Sequence, residues 1–140
     1  MVHALFFASV LAVSLPAQAH PDPESVVREM FDAFNAHDPE RMAALYAEEA
    51  VLTSSDFCAP RGKSDVVRTY RALFDTFPDI RDDIDRLIAD GDQVAVAFTA
   101  RSAQGPAGLE LPVIAMLRVE QGRIVHDASI FETGDEACSR

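Results

Sequence analysis

The segment at 126–129, HDAS, holds the residues best suited to acid–base chemistry. Side chains alternate between the two faces of a strand, so Asp127 and Ser129 share one side while His126 lies on the other. An Asp among apolar side chains resists ionisation, which raises its pKa and suits it to exchange protons near neutral pH. Asp127 is therefore a candidate general acid or base. The alternative is a hydrated Asp, or one paired with an Arg such as Arg101.

Three further polar residues are candidates for a site. Tyr46 and Tyr70 fall within the apolar stripes of predicted helices, so we expect core packing with each hydroxyl hydrogen-bonded at a pocket wall. Asp56 follows a predicted strand, on a loop where it either leans into a pocket mouth or caps a turn in solvent. The paired acids at 48–49 and 82–83 are interpreted as solvated faces.

A metal site has one conceivable form. His20, as a new amino terminus, would chelate copper through its amine and imidazole, with a further imidazole from His37 or His126. Transition metals need several convergent ligands. We therefore predict neither a metal nor a cofactor.

Three helices and a sheet must position these candidates. Asp22-Pro23 and an apolar stripe that begins at Val27 predict a first helix. Asp38-Pro39 starts a short second helix, and Ser64-Asp65 starts a third that ends at Pro78. A brief strand is predicted at 51–53. After Pro78 the apolar period changes to 2, which predicts strands at 80–89, 92–103, 109–120 and 123–132.

The order of these elements predicts an α+β fold, with helices on one face of an antiparallel sheet. Gly91-Asp92 and Gln121-Gly122 are typical of tight hairpin turns, and 104–108 of a longer one. The segment VAVAF at 94–98 is apolar on both faces. We therefore expect a homodimer to cover the outer face of the sheet.

Composition excludes several classes of partner. The 140 residues carry a net charge of −11, and 49% of them are hydrophobic. This is the balance of one globular domain, and an acidic chain repels nucleic-acid phosphates and anionic membrane surfaces. We expect no nucleic-acid partner.

The amino-terminal stretch resembles a secretory signal. Residues 4–15 lack charge and are too short for a stable bilayer-spanning helix, and Ala17-Gln18-Ala19 has the small residues of a cleavage site. We predict a signal peptide at 1–19, a mature domain at 20–140, and export to the periplasm or the medium of a bacterium, with no membrane attachment after cleavage. In an oxidising compartment Cys58 and Cys138 pair more often than not, and the alternative is two free thiols.

Four segments resemble the SnoaL-like branch of the nuclear transport factor 2 superfamily, and the match runs from about residue 24 to 132. They are FNAHDPERMAALYAEEAVL, RGKSDVVRTYRALFDTFPDI, LIADGDQVAVAFTA and VEQGRIVHDASIFE. The resemblance implies a cone-shaped, curved antiparallel sheet wrapped by three amino-terminal helices around a pocket. It also implies that the first and last strands lie side by side and parallel, which would bring Cys58 to Cys138.

The same resemblance implies which residues face the pocket. Met30, Ser54 and Ala115 stand where a ketosteroid isomerase of this fold has its tyrosine, its general base and its protonated Asp, so ketosteroid isomerisation is excluded. Asp127 stands where the cyclase branch has a His. Together with Asp127, the expected pocket residues are Met30, Phe34, Tyr46, Ser54, Asp56, Tyr70, Ala115, Ser129 and Phe131.

Two functions follow as hypotheses. In the first, the pocket binds a small, largely hydrophobic molecule without reaction. In the second, the chain is an enzyme of the cyclase, isomerase, dehydratase or hydrolase type that uses Asp127 as general acid or base. Fold membership alone does not decide between them.

Overall fold

The computed structural model describes residues 19–104, 108–134 and 138. The predicted signal segment therefore lies outside the described residues except at its last position, and so does part of the predicted turn at 104–108. The elements, in chain order, are α1 Pro23–Asn35, α2 Pro39–Ala44, β1 Tyr46–Ser54, α3 Lys63–Thr76, β2 Arg81–Asp90, β3 Gln93–Ser102, β4 Leu109–Glu120 and β5 Arg123–Ile130.

The five strands form one curved, open sheet in the order β1-β5-β4-β3-β2. β1 runs parallel to β5, whereas all other neighbours are antiparallel. Two hairpin turns make the meander possible: Gly91 and Gly122 have φ of 58° and 73°, which side chains rarely tolerate. The predicted α+β architecture, a curved sheet and three helices around a pocket, is confirmed.

The helices begin where their capping residues predict. The Asp22 carboxylate accepts from the Ser25 N–H at 3.1 Å, and that of Asp38 accepts from the Arg41 N–H at 2.9 Å. Each cap satisfies an N–H that has no partner within its helix. α3 begins at Lys63, one residue before the predicted start, because Asp65 accepts from the Gly62 N–H at 3.1 Å.

The core lies between the concave side of the sheet and the helices. Val27, Phe31 and Phe34 of α1 are buried against inward residues of β3 and β4 such as Val96 and Leu117. Only Val66 of α3 is buried. The remaining apolar face of α3 is partly exposed and borders a cavity. Within the described residues, no helix has the length and apolar character needed to span a membrane.

One element boundary was predicted wrongly. The second helix ends at Ala44, and Tyr46 begins β1, which has nine residues instead of the brief strand expected at 51–53. The cause is pairing with β5: the Ile124 N–H donates to the Leu45 carbonyl at 2.9 Å, and Tyr46 lies opposite Ile124. Tyr46 is therefore a strand residue, whereas Tyr70 lies on α3 as expected.

Candidate functional site

A cavity of about 460 Å³ lies between the concave side of the sheet and α3. Its wall is mostly apolar and aromatic, with Phe34 from α1, Leu73 from α3, Phe98 from β3, and Leu111 and Val113 from β4. Three carboxyl groups interrupt this apolar wall: those of Asp82 and Asp127 on different strands, and that of Asp56 on the loop after β1.

Asp127 lies on β5 between Leu52 of β1 and Leu117 of β4. Its side chain is in the cavity wall, and the residue is only 5% exposed. The Tyr46 hydroxyl donates to its Oδ2 at 2.7 Å. Burial raises the pKa of Asp127 to about 6, and the Tyr46 hydrogen bond and the nearby His126 oppose this rise. The carboxyl group is therefore poised to change protonation state near neutral pH.

The hydroxyls of Tyr46 and Tyr70 also interact with each other. Burial and the charge of Asp127 hold the pKa of both tyrosines well above the usual value, so both stay protonated. An ionised Asp127 can only accept hydrogen bonds, so the single O–H group of Tyr46 donates to the carboxylate. The hydroxyl of Tyr70, which lines the cavity, then donates to the Tyr46 oxygen, so that a chain of hydrogen bonds runs from Tyr70 through Tyr46 to Asp127.

Polar contacts also organise the wall near Asp127. The Ser54 hydroxyl donates to the Asp56 carboxylate at 2.6 Å. The Arg61 guanidinium lies 3.7 Å from the centre of the Phe57 ring and donates to the Thr69 hydroxyl at 3.0 Å. These contacts fix the loop after β1. The same loop is joined to the carboxyl-terminal tail by the predicted disulfide, which the structure forms between Cys58 and Cys138.

The structure brings together most residues predicted for the pocket. Those that line the cavity are Phe34, Ser54, Asp56, Tyr70, Asp127, Ser129 and Phe131. The other three, Met30, Tyr46 and Ala115, are buried in the core behind the wall. Arg101, the alternative partner of Asp127, instead pairs with Asp83 at 3.3 Å and with Glu110 at 2.6 Å.

Asp82 corrects an interpretation made from the sequence. It was assigned with Asp83 to a solvated face, but it is only 9% exposed and lines the cavity. Burial, followed by the charge of Asp83, raises the pKa of Asp82 to about 7. A usable signal was present: Ile80, Asp82 and Ile84 alternate with period 2, so the acid shares the inward side of its apolar neighbours.

Within the described ranges, no group of three or more His, Cys, Asp or Glu side chains is arranged to hold a metal ion. The cavity wall carries carboxyl, hydroxyl and guanidinium groups. A buried carboxyl group can take up or release a proton.

The family model of the SnoaL-like domain matches residues 27–127. The chain belongs to this family. The matched segment begins within α1 and ends at Asp127 on β5. A comparison with curated proteins found no match.

Solved structures resemble the chain over most of its length. IdmH from Streptomyces antibioticus, "a putative polyketide cyclase", is 26% identical, with a TM-score of 0.71 over 80% of this chain and 93% of that one. An NTF2-like protein of unknown function from Burkholderia pseudomallei is 24% identical, with a TM-score of 0.70 over 79% and 91%. AclR from Streptomyces galilaeus, "a putative hydroxylase", is 20% identical, with a TM-score of 0.68 over 79% and 88%.

Proposed function

We propose that this SnoaL-like protein binds a small, largely hydrophobic molecule in the cavity between α3 and the sheet. The observation that carries the proposal is the cavity itself, about 460 Å³ with a predominantly apolar wall. Ligand sites of proteins have roughly 300–1,000 Å³ and a few polar groups in an apolar lining. Aromatic rings from α1, α3 and β3 supply contact area, and the carboxyl and hydroxyl groups supply orientation.

A second function, catalysis, is favoured by the surroundings of Asp127. Its carboxyl group is buried, reaches the cavity and has a pKa of about 6, so at pH 7 it is mostly an unhydrated base. In this scheme Asp127 takes a proton from the bound molecule, and the Tyr70 oxygen accepts a hydrogen bond that orients that molecule. Tyr46 holds the carboxylate in place. The description of IdmH as a putative polyketide cyclase supports an enzymatic function.

Mass spectrometry of molecules extracted from purified protein tests binding, since a hydrophobic ligand should co-purify. The extracted compound, or a panel of small aromatic ketones and phenols if none is found, is then titrated by calorimetry. Saturable binding supports the proposal. A protein that carries no ligand and binds no member of the panel would contradict it.

The Asp127→Asn variant separates the two functions. If the chain only binds, affinity for the ligand should change less than about threefold, because the substitution keeps the shape of the side chain. If it is an enzyme, turnover of the ligand should fall by about 10²–10⁴. Ser129→Ala is the matched control, because Ser129 lines the cavity two residues further along β5 but carries no proton of suitable pKa. Turnover by Asp127→Asn at the wild-type rate would exclude Asp127 as acid or base.

We also propose that the chain is exported and that the mature protein begins at His20. The disulfide between Cys58 and Cys138 supports this, because such bonds persist in oxidising compartments. Amino-terminal sequencing of secreted or periplasmic material should read His20 first. Material that begins at Met1 would overturn the proposal.

We propose further that two copies associate through the outer face of the sheet. Ile114 is exposed there with Ala97 and Ile130 on either side, and Met116 lies between Ala95 and Ala128. Contiguous exposed apolar residues of this kind mark association surfaces. Light scattering at micromolar concentration should give a dimer mass for the wild type and a monomer mass for Ile114→Glu. A monomeric wild type would contradict the proposal.

A further inference from the structure

Asp82 is a buried acid whose side chain is not fully satisfied. Its backbone is held firmly, since the Asn35 amide donates to its carbonyl at 3.0 Å and accepts from its N–H at 2.8 Å. Its Oδ1 atom, by contrast, is fully buried and has no hydrogen-bond partner among the described residues. Native proteins leave few such atoms unpaired, because each costs about 1–3 kcal/mol. An unpaired acceptor in a cavity wall therefore points to a ligand that donates to it.

Asp82 and Asp127 lie at different ends of the cavity. Asp82 is in register with Ala100 of β3 and hence with Leu111 of β4, whereas Asp127 is in register with Leu117. The two β4 positions are six residues apart, roughly 20 Å along a strand. The charges of both acids raise the pKa of Tyr70, which also lines the cavity.

The surroundings of Asp82 favour a cationic donor. Its own end of the cavity is formed by apolar neighbours such as Ile80, Ala100 and Leu111. The nearby arginines, Arg81 and Arg101, are engaged with Asp83 on the other side of β2.

The arginines of the cavity wall lie towards the opposite end. Arg61 bridges to Leu52, the neighbour of Asp127, and Arg68 pairs with Asp65. A cation at Asp82 would therefore meet a carboxyl group without a competing protein cation in the described part of the chain. The net charge of −11 adds a favourable field.

We propose that Asp82 binds the protonated amino group of a small apolar amine, whose hydrocarbon part fills the aromatic interior of the cavity. This deepens the proposed binding function and rests on it. The ammonium N–H groups donate to the Asp82 carboxylate, which is not fully paired within the protein, and their charge compensates the ionised group. Hydrogen bonds between charged groups are roughly twice as strong as neutral ones. The rings of Phe77 and Phe98, which also line the cavity, suit the organic part of such a cation.

The test compares 2-phenylethylamine with its neutral counterpart 2-phenylethanol at pH 8, by calorimetry on the full protein. We expect the amine to bind wild type about tenfold more tightly than the alcohol. Asp82→Asn should weaken amine binding by about tenfold and change alcohol binding less than threefold. Asp83→Asn is the matched control and should change neither, because Asp83 lies on the opposite side of β2.

The possible results distinguish this inference from the function on which it rests. Equal affinity of the two probes, or amine binding unaffected by Asp82→Asn, overturns the role of Asp82 but leaves the apolar cavity in place. Failure of both probes contradicts the proposed binding function as well. If Asp82→Asn does not fold, the wild type still decides: at pH 8 the amine should raise the melting temperature more than the alcohol does. Equal shifts would overturn the inference.

Discussion

The two buried acids of the cavity differ in their partners. Asp127 receives a 2.7 Å hydrogen bond from Tyr46, which in turn interacts with Tyr70. Asp82 has a firmly held backbone but an unpaired Oδ1. Burial raises both pKa values, to about 6 and about 7, and the lower value belongs to the acid that has a donor. A partnered acid is suited to cycling its proton, whereas an unpartnered one is suited to receiving a ligand.

The two ends of the cavity also differ in how the chain secures them. Near Asp127, β1 and β5 pair in parallel, and the disulfide joins the loop after β1 to the tail after β5. Near Asp82, the corresponding support is the Asn35 side chain, together with a hydrogen bond of 2.8 Å between His37 and the Ile80 carbonyl. The candidate catalytic end is thus tied covalently, and the candidate anchoring end is held by hydrogen bonds and by the core packing of Ile80.

Removal of the disulfide should have the largest effect. The double variant Cys58→Ala, Cys138→Ala should have a free energy of unfolding about 4 kcal/mol lower than that of the wild type. The disulfide joins residues 80 positions apart and so restricts the unfolded chain. Urea unfolding followed by circular dichroism measures this in a chain without tryptophan. Amide exchange should accelerate more at Phe57 and Arg61 than at Asp82. Equal acceleration at both ends would mean that the bond does not secure the Asp127 end selectively.

The second prediction uses the pH dependence of stability. A raised pKa means that the folded protein retains a proton that the unfolded chain, with a pKa of 3.8, has lost. The stabilisation is complete below pH 3.8 and is lost as the pH rises through about 7 for Asp82 and about 6 for Asp127. Between pH 5 and pH 8 the wild type should lose about 3 kcal/mol through Asp82 and about 1 kcal/mol through Asp127.

In the Asp82→Asn variant, the free energy of unfolding should therefore fall between pH 5 and pH 8 only by the smaller amount, which is due to Asp127. Urea unfolding at the two pH values measures this difference. Asp22, Asp65 and Asp79 do not interfere, because their pKa values are lowered and their contributions change only as the pH falls below about 4. A variant whose stability falls with pH as steeply as that of the wild type would show that Asp82 ionises normally.

The third prediction concerns the Tyr46 hydroxyl, which donates to Asp127 and has no counterpart at Asp82. The Tyr46→Phe variant removes the hydroxyl that donates to the Asp127 carboxylate. Its free energy of unfolding at pH 8 should be lower than that of the wild type by about 2 kcal/mol. The cost should be smaller at pH 5, where Asp127 is protonated, and the pKa of Asp127 should rise because the Tyr46 bond lowers it. Carbon-13 NMR of the carboxyl groups follows that pKa. Tyr70→Phe serves as control, and an equal loss at both pH values would contradict the role assigned to Tyr46.

Much of the fold could be predicted because it rests on local signals. Asp22 and Asp38, each followed by a Pro, are the capping residues of α1 and α2. The two tight hairpin turns need a residue with positive φ, which is a glycine in each case. Tyr46 could not be placed locally, because its helical spacing to Met42 competes with pairing to Ile124 on a strand 78 positions later. Tertiary pairing decided that boundary.

Part of the site could not be predicted from the sequence, again because it depends on contacts between distant segments. The alternation at Asp127 and Ser129 is local, and the structure places both side chains in the cavity wall. The hydrogen bond from Tyr46 spans 81 positions and has no local signal. Asp82 had a local signal in its spacing to Ile80 and Ile84, but β2 is mostly exposed, so its inward side is short and easily missed.

The smallest effect is expected at Asp83, the immediate neighbour of Asp82. Its carboxylate faces the outer side of β2 and lies 3.8 Å from Arg81 and 3.3 Å from Arg101. Exposed ion pairs of this kind contribute about 0–1 kcal/mol, so Asp83→Asn should change stability by less than about 0.5 kcal/mol at either pH. Because the charge of Asp83 raises the pKa of Asp82, the variant should lower that pKa slightly, which carbon-13 NMR can detect. If Asp83→Asn changed the stability as much as Asp82→Asn does, the two faces of β2 would not be electrostatically distinct. The contrast between a buried, unpaired acid and its solvated neighbour would then fail.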